Sequence, residues 1–144
     1  MRVYLDNCCF NRPFDDQNQI RIHLEAQAKL YVQSQIKDKK IELVWSYILD
    51  YENAFNPFEE RKNIIQNWKS KAISDIEENE QILQNAKELI SLGLKSKDAL
   101  HVACAIEGKC DYFLTTDYNV LSKLKNYNKI EVLNPINVIV NLKD

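Results

Sequence analysis

The sequence predicts an α/β fold, a short central parallel β-sheet flanked by helices on both faces in an α/β/α sandwich. Short apolar runs that each end in a polar loop alternate with amphipathic helical stretches along the whole chain. No repeat, low-complexity tract or long linker interrupts that alternation. The 144 residues also have the length of one ordinary domain, so one unit over residues 1–144 is expected.

The first strand is expected at Val3-Tyr4-Leu5, bounded by Asp6-Asn7, with a loop through Cys8–Phe14. Asp15 or Asp16 would cap a helix from about Gln17 to Ile36, with Ile20, Leu24, Ala28 and Tyr31 on its apolar stripe. Ile41–Trp45 reads as a second strand ended by Ser46, followed by a short helix over Tyr47–Phe55 that Asn56-Pro57 stops. A helix from Pro57 or Phe58 carries Arg61, Ile65, Trp68 and Ala72 at helical spacing, and another spans about Asp75 to Ser91. Gly93 stands where a left-handed C-cap belongs. Ser96 would cap a helix over Lys97–Glu107, with Gly108 as its C-cap. Tyr112–Thr115 then reads as a strand, Tyr118–Lys125 as a helix, Ile130–Leu133 as a strand and Asn134-Pro135 as the opening of a last helix to about Leu142.

Composition excludes several chemistries. Gly93 and Gly108 are the only glycines, so a Gly-rich phosphate loop is absent. A net charge of −2 rules out delivery to nucleic acid by bulk positive charge. The four cysteines, Cys8, Cys9, Cys104 and Cys110, lack zinc-ligand spacing. With no membrane-length apolar run, a cytoplasmic protein with reduced thiols and no membrane partner is expected.

Chemistry concentrates in the acids. Asp6 ends the first strand, Asp117 ends the strand at 112–115, and Asp98 opens the helix that runs back into that strand. Right-handed crossovers bring all three to the carboxyl edge of the sheet, where ligands bind in open α/β folds. Glu52 shares a helical face with Ile48 and Phe55, whereas Asp50 points roughly 200° away. An acid on an apolar stripe is costly unless paired or metal-bound, which favours Glu52 over Asp50. Oxygen ligands of this kind suit Mg²⁺ or Mn²⁺. Asp6, Glu52, Asp98 and Asp117 are therefore the candidate catalytic and metal-ligating residues. Asn7, Ser46 and Thr116 could orient them, and Arg12 could grip a phosphate. Each acid taken singly also serves as an ordinary cap or turn residue, and joint placement is what singles them out. Asp111 reads as a turn residue or a peripheral ligand, His101 as a packed or half-exposed histidine that could also contact a phosphate, and Trp45 and Trp68 as core.

Assembled in order, these motifs resemble the PIN domain family. The residues are Val3-Tyr4-Leu5-Asp6-Asn7-Cys8, Ser46 through Glu52, Lys97-Asp98-Ala99-Leu100-His101-Val102-Ala103, and Phe113-Leu114-Thr115-Thr116-Asp117. The resemblance implies an endoribonuclease that cleaves single-stranded RNA with Mg²⁺ or Mn²⁺, often as a homodimer. For small bacterial members it implies the toxin of a type II toxin–antitoxin module, with a cognate antitoxin as partner. Cys8 departs from the Asn, Ser or Thr usual two positions after the first Asp. Cys9–Gln17 also departs from the usual toxin opening. A phosphatase of the haloacid-dehalogenase type needs an Asp where Cys8 stands, and a response-regulator receiver needs an acidic neighbour that Asp6 lacks. The remaining alternative is a PIN-like module that binds RNA or a protein partner without cleaving.

Overall fold

Val3, Tyr4 and Leu5 lose all solvent access because their strand lies at the centre of a sheet covered on both faces. A computed structural model describes residues 1–142. Its strands are β1 (Arg2–Leu5), β2 (Glu42–Ser46), β3 (Ser74–Ile76), β4 (Tyr112–Leu114) and β5 (Glu131–Leu133). They pair in parallel in the order β3-β2-β1-β4-β5. The chain thus winds outward in one direction from β1 and in the other from β4. The carboxyl ends of those two strands flank the topological switch point, the usual ligand crevice of such a sheet.

The helices are α1 (Asn7–Asn11), α2 (Ile20–Lys37), α3 (Tyr47–Ala54), α4 (Glu59–Asn67), α5 (Glu80–Ser91), α6 (Ser96–Glu107), α7 (Tyr118–Lys123) and α8 (Pro135–Leu142). Single 3₁₀ turns follow α1 at Arg12–Phe14 and α4 at Trp68–Lys71. Packing pairs α5 with α6 and α2 with α8. Among the described residues no helix is long and apolar enough to cross a membrane, and all four cysteines are free.

Three local expectations are corrected. The loop expected through Cys8–Phe14 is α1 plus a 3₁₀ turn, because the Asp6 side chain accepts from Asn7 N and starts a helix immediately after β1. The helix expected from Asp75 instead begins at Glu80, capped by Asn79, whose Oδ1 accepts from Ile82 N at 2.9 Å. The residues before it form the edge strand β3, too short and polar to show strand periodicity. Gly108 has φ near −74°, and Lys109 carries the left-handed φ of 57° in its place. Gly108 is needed for space, since a Cβ there would lie 2.8 Å from Val44 Cγ1 on β2. Gly93, at φ +106°, does end α5 in the left-handed region as expected.

Of the stripe expected on α2, only Ala28 is buried. Ile20, Leu24 and Tyr31 are exposed, while Glu25, Lys29 and Gln33 are buried beside Ala26, Ala28, Val32 and Ile36. Lys29 is 4% exposed and lies over the Phe10 ring, 5.4 Å from its centroid. Among the described residues it has no carboxylate partner, and burial pushes its amine down to about 8, against a smaller opposing effect of Cys9. The unfolded chain therefore holds a proton on Lys29 that the folded protein releases between about pH 8 and pH 10.5, so stability from this group rises with pH across that window. Urea unfolding of Lys29→Met should show higher stability than wild type at pH 7, by roughly 2–3 kcal/mol, with the gap closing by pH 10.5.

Candidate active site

Asp6 N continues the sheet by donating to Leu114 O at 2.9 Å, which places the Asp6 side chain at the carboxyl end of β1 against β4. The parallel register Tyr4↔Phe113 and Leu5↔Leu114 sets Asp6 opposite Thr115. The Thr115 hydroxyl donates to Asp6 Oδ2 at 2.8 Å and accepts from Asp117 N at 3.1 Å. One side chain thus ties the first acid to the backbone of the fourth. Asn7 N donates to the other Asp6 oxygen at 2.8 Å. The Cys8 thiol lies 3.5 Å from Asp6 Oδ2 and accepts from Thr116 N at 3.4 Å. Asp6 is 5% exposed, and these donors satisfy a carboxylate that burial would otherwise penalise.

Glu52 arrives from α3. Asn7 Nδ2 donates to its Oε2 at 3.2 Å, and His101 Nε2 is hydrogen-bonded to its Oε1. The same His101 nitrogen lies 3.9 Å from Asp6 Oδ1, so the imidazole sits between two acids. Its Nδ1 meets the Tyr4 hydroxyl at 2.6 Å, which meets Ser46 Oγ at 2.6 Å, which accepts from Leu49 N at 3.3 Å. Glu52 only accepts, so Nε2 donates. Burial, then the nearby charges of Cys104, Asp6 and Glu52, keep the Tyr4 phenol far above its usual range, against the opposing Ser46 contact, so it remains a donor. A buried relay Ser46–Tyr4–His101–Glu52 results, spanning β2, β1, α6 and α3. Burial pushes the Glu52 carboxyl up, but the hydrogen bond and charge of His101, then Lys97 and Asn7, hold it below the ordinary range.

Asp98 lies half-buried in the first turn of α6. Burial, then the charges of Asp6 and Asp117, push its carboxyl up to about 6, with Glu52 adding and His101 opposing. That influence brings the four predicted acids into one electrostatic neighbourhood. Asp117 caps α7, its Oδ1 accepting from Asn119 N at 2.9 Å. Among the described residues no three carboxylate, imidazole or thiol groups close around a single point as they stand. Asn7 Oδ1, next to Glu52, is buried and accepts no hydrogen bond.

The other predicted residues divide. Asn7 touches both Asp6 and Glu52. Ser46 acts only through the relay and as the cap of α3. Thr116 is buried and offers its backbone N to Cys8, while Thr115 holds the carboxylate expected of it. Arg12 is turned from the site, its Nε on buried Glu25 at 2.9 Å and its Nη1 on Asp15 at 3.0 Å. Asp111 sits at the opposite edge of the sheet, paired with Arg2 N at 2.8 Å. Asp50 joins Trp45 Nε1, Gln66 and Lys69 and anchors α3 to its neighbours. Phe55 lies beyond the end of α3 and is exposed, so the apolar partner of Glu52 on that face is Ile48 alone. Sequence reasoning missed Thr115, Tyr4 and the pairing role of His101. A tyrosine on a fully buried strand needs a partner for its hydroxyl, and His101 follows Asp98 by one helical turn; both were usable signals.

Comparison with solved structures places the architecture. FitAcB from Neisseria gonorrhoeae superposes with a TM-score of 0.57 at 17% identity, covering 92% of this chain and 97% of that one. VapBC-1 from nontypeable Haemophilus influenzae gives 0.59 at 13% identity, covering 94% and 98%. The chain has the PIN-domain fold. VapBC2 from Rickettsia felis, solved bound to a DNA fragment from their promoter, gives 0.57 at 12% identity over 93% and 98%. No protein-family model and no curated protein matches the sequence.

Two stability measurements check this geometry. Tyr4→Phe removes the hydroxyl that links Ser46 to His101 and should lower stability by about 1–2 kcal/mol, read by urea denaturation. Arg12→Ala strips a donor from the buried Glu25 carboxylate and should lower the melting temperature by the equivalent of roughly 1–3 kcal/mol. An unchanged melting temperature would show that Arg12 is not a structural partner of Glu25.

Proposed function

We propose that this PIN-fold chain is a metal-dependent endoribonuclease that hydrolyses phosphodiester bonds of single-stranded RNA. The observation that carries the reading is the convergence at the β1/β4 switch point of Asp6, Glu52 and Asp117, joined through Thr115, Asn7 and His101, with Asp98 one helical turn before that histidine. Such a set resists being fully charged without a compensating cation. Its donors are all oxygens, and the unpaired Asn7 Oδ1 adds one more, which fits Mg²⁺ or Mn²⁺. The open arrangement suits an ion that retains some of its own water. Asp6, Glu52, Asp98 and Asp117 would hold it. When bound, such an ion supplies Lewis-acid stabilisation of phosphoryl charge and activation of water.

The protein's own part is preorganisation. Thr115 and Asn7 N fix both oxygens of Asp6. His101 and Asn7 Nδ2 fix those of Glu52, and the Tyr4–Ser46 leg holds the imidazole in place. Asp98 and Asp117 stand on helix N-termini, whose dipoles favour their negative charge. Hydrolysis adds water across one P–O bond, leaving a phosphate on one fragment and a hydroxyl on the other.

The resemblance in motifs, together with the fold shared with VapBC-1, VapBC2 and FitAcB, supports a toxin of a type II toxin–antitoxin module. It would act in the cytoplasm as a homodimer and be held by a cognate antitoxin.

The test is cleavage of mixed single-stranded RNAs in Mg²⁺, Mn²⁺ or EDTA. Wild type should cut only with metal, and Asp6→Asn and Asp98→Asn should each lose about 100-fold or more, the scale for deleting one preorganised charge at a reacting centre. Without RNA, Mn²⁺ should raise the melting temperature of wild type by mass action and that of Asp98→Asn by less. Cleavage in EDTA, or full activity in both variants, rules the mechanism out. RNA bound tightly and left uncut with every metal would establish the non-cleaving module. Growth arrest on expression, relieved by a protein encoded next to this gene, would support the toxin role.

A further inference from the structure

Beside the carboxylates, α1, α3 and α4 enclose an open groove of about 300 Å³ whose lining includes Asn7, Asn11, Phe55, Asn56, Phe58 and Arg61. Glu52 also lines it, so the groove and the acid cluster form one continuous surface. Phe55 and Phe58 are 70% and 52% exposed, more than is usual for phenylalanine. Both rings are held. Tyr51 packs edge-on to Phe55 at 5.1 Å, and the Arg61 guanidinium stacks over Phe58 at 4.0 Å and reaches toward Phe14 at 5.2 Å. Among the described residues Arg61 makes no salt bridge, so its charge is available to an anion. Asp15 also borders the groove, but Arg12 engages it. Asn56 is fixed by its contact to Asn11 at 3.4 Å and by accepting from Phe58 N at 3.1 Å. Lys97 Nζ lies over the Tyr51 ring, 5.9 Å from its centroid.

An apolar ring face, a planar cation and side-chain amides within one small cavity match an unpaired nucleotide. Bases stack on exposed aromatic faces without regard to sequence, an arginine takes the phosphate, and amides read base edges. A duplex offers no free base face for such a cavity.

We propose that this groove seats one unpaired nucleotide of a single-stranded RNA, its base stacked on Phe55 or Phe58 and its phosphate on Arg61, with the next phosphodiester passing to the acids. The assignment rests on the ribonuclease reading for the role of the bound strand, but binding can be measured apart from cleavage. Phe55, Phe58 and Arg61 are positioning residues and touch no reacting atom.

The experiment uses the full chain and a fluorescent single-stranded RNA of about 12 nucleotides. Anisotropy is measured in EDTA, and again with Mn²⁺ in an Asp6→Asn background. Phe55→Ala and Phe58→Ala should each raise Kd on the order of tenfold. Arg61→Lys, which keeps charge but loses the planar fork, should also raise it. Ile90→Ala, exposed on α5, serves as the control and should leave Kd unchanged. Circular dichroism confirms that each variant folds, and 5-iodouridine in the RNA should photocross-link to Phe55 or Phe58. Wild-type affinity in all three groove variants, cross-links confined elsewhere, or no RNA binding under either condition overturns the proposal. So does loss of a neighbour-encoded protein partner in these variants while RNA affinity stays intact. Binding that depends on the groove in a protein that never cuts RNA would sustain the groove and remove the ribonuclease reading. Metal-dependent cleavage with unaltered groove variants would do the reverse.

Discussion

A carboxylate buried at the carboxyl end of a central strand must be surrounded by donors, and Asp6 imposes that demand on every element around it. Its backbone N belongs to the β1/β4 ladder, its side chain starts α1, and the Thr115 hydroxyl opposite closes on its second oxygen. Thr115 is there because β1 and β4 run parallel and end in the same row. The chain could direct an acid to this point only by building a switch point there. β4 must therefore lie beside β1, although more than one hundred residues separate the two in sequence.

The other side of this constraint is repulsion. Burial, then the charges of Asp6 and Asp117, push Asp98 up, whereas His101 holds Glu52 down against its own burial. Two carboxylates on neighbouring helices thus hold their protons differently through unlike neighbours. The relay through Tyr4 and Ser46 supports that asymmetry from beneath. It crosses two strands and two helices and is buried as far as His101, so a displacement of any one element leaves a polar group without its partner. The site is exacting in its interior and open toward solvent, where the groove of Phe55, Phe58 and Arg61 begins.

Helix α2 shows how far tertiary context can override a helical pattern. Its apolar repeat through Ile20, Leu24 and Tyr31 faces out, and the face packed inward carries Glu25, Lys29 and Gln33. Glu25 is acceptable there because Arg12, Arg21 and Asn134 converge on it from three different segments. Arg21 is one helical turn before Glu25 on α2 itself, but Arg12 and Asn134 lie outside that helix, where a periodicity argument does not reach. Arg12, the one basic residue in the loop after the first acid, is drawn into this network and away from the site.

The sequence by itself determined the strand–helix alternation, the four acids and their common edge. These follow from short-range patterns: apolar runs ending in polar residues, an acid on an apolar helical face, and carboxylates placed where helix dipoles favour them. The short polar strand β3, the helix directly after β1 and the donors around Asp6 were decided only by the tertiary structure. Thr115 in place of Thr116, Tyr4 beneath His101, and Gly108 against Val44 all depend on which residues lie across a gap between elements. Register and packing distance set those pairings, and neither is encoded in the neighbours of any one residue. Local chemistry marked which residues could act, and the parallel pairing of β1 with β4 decided what holds them in place.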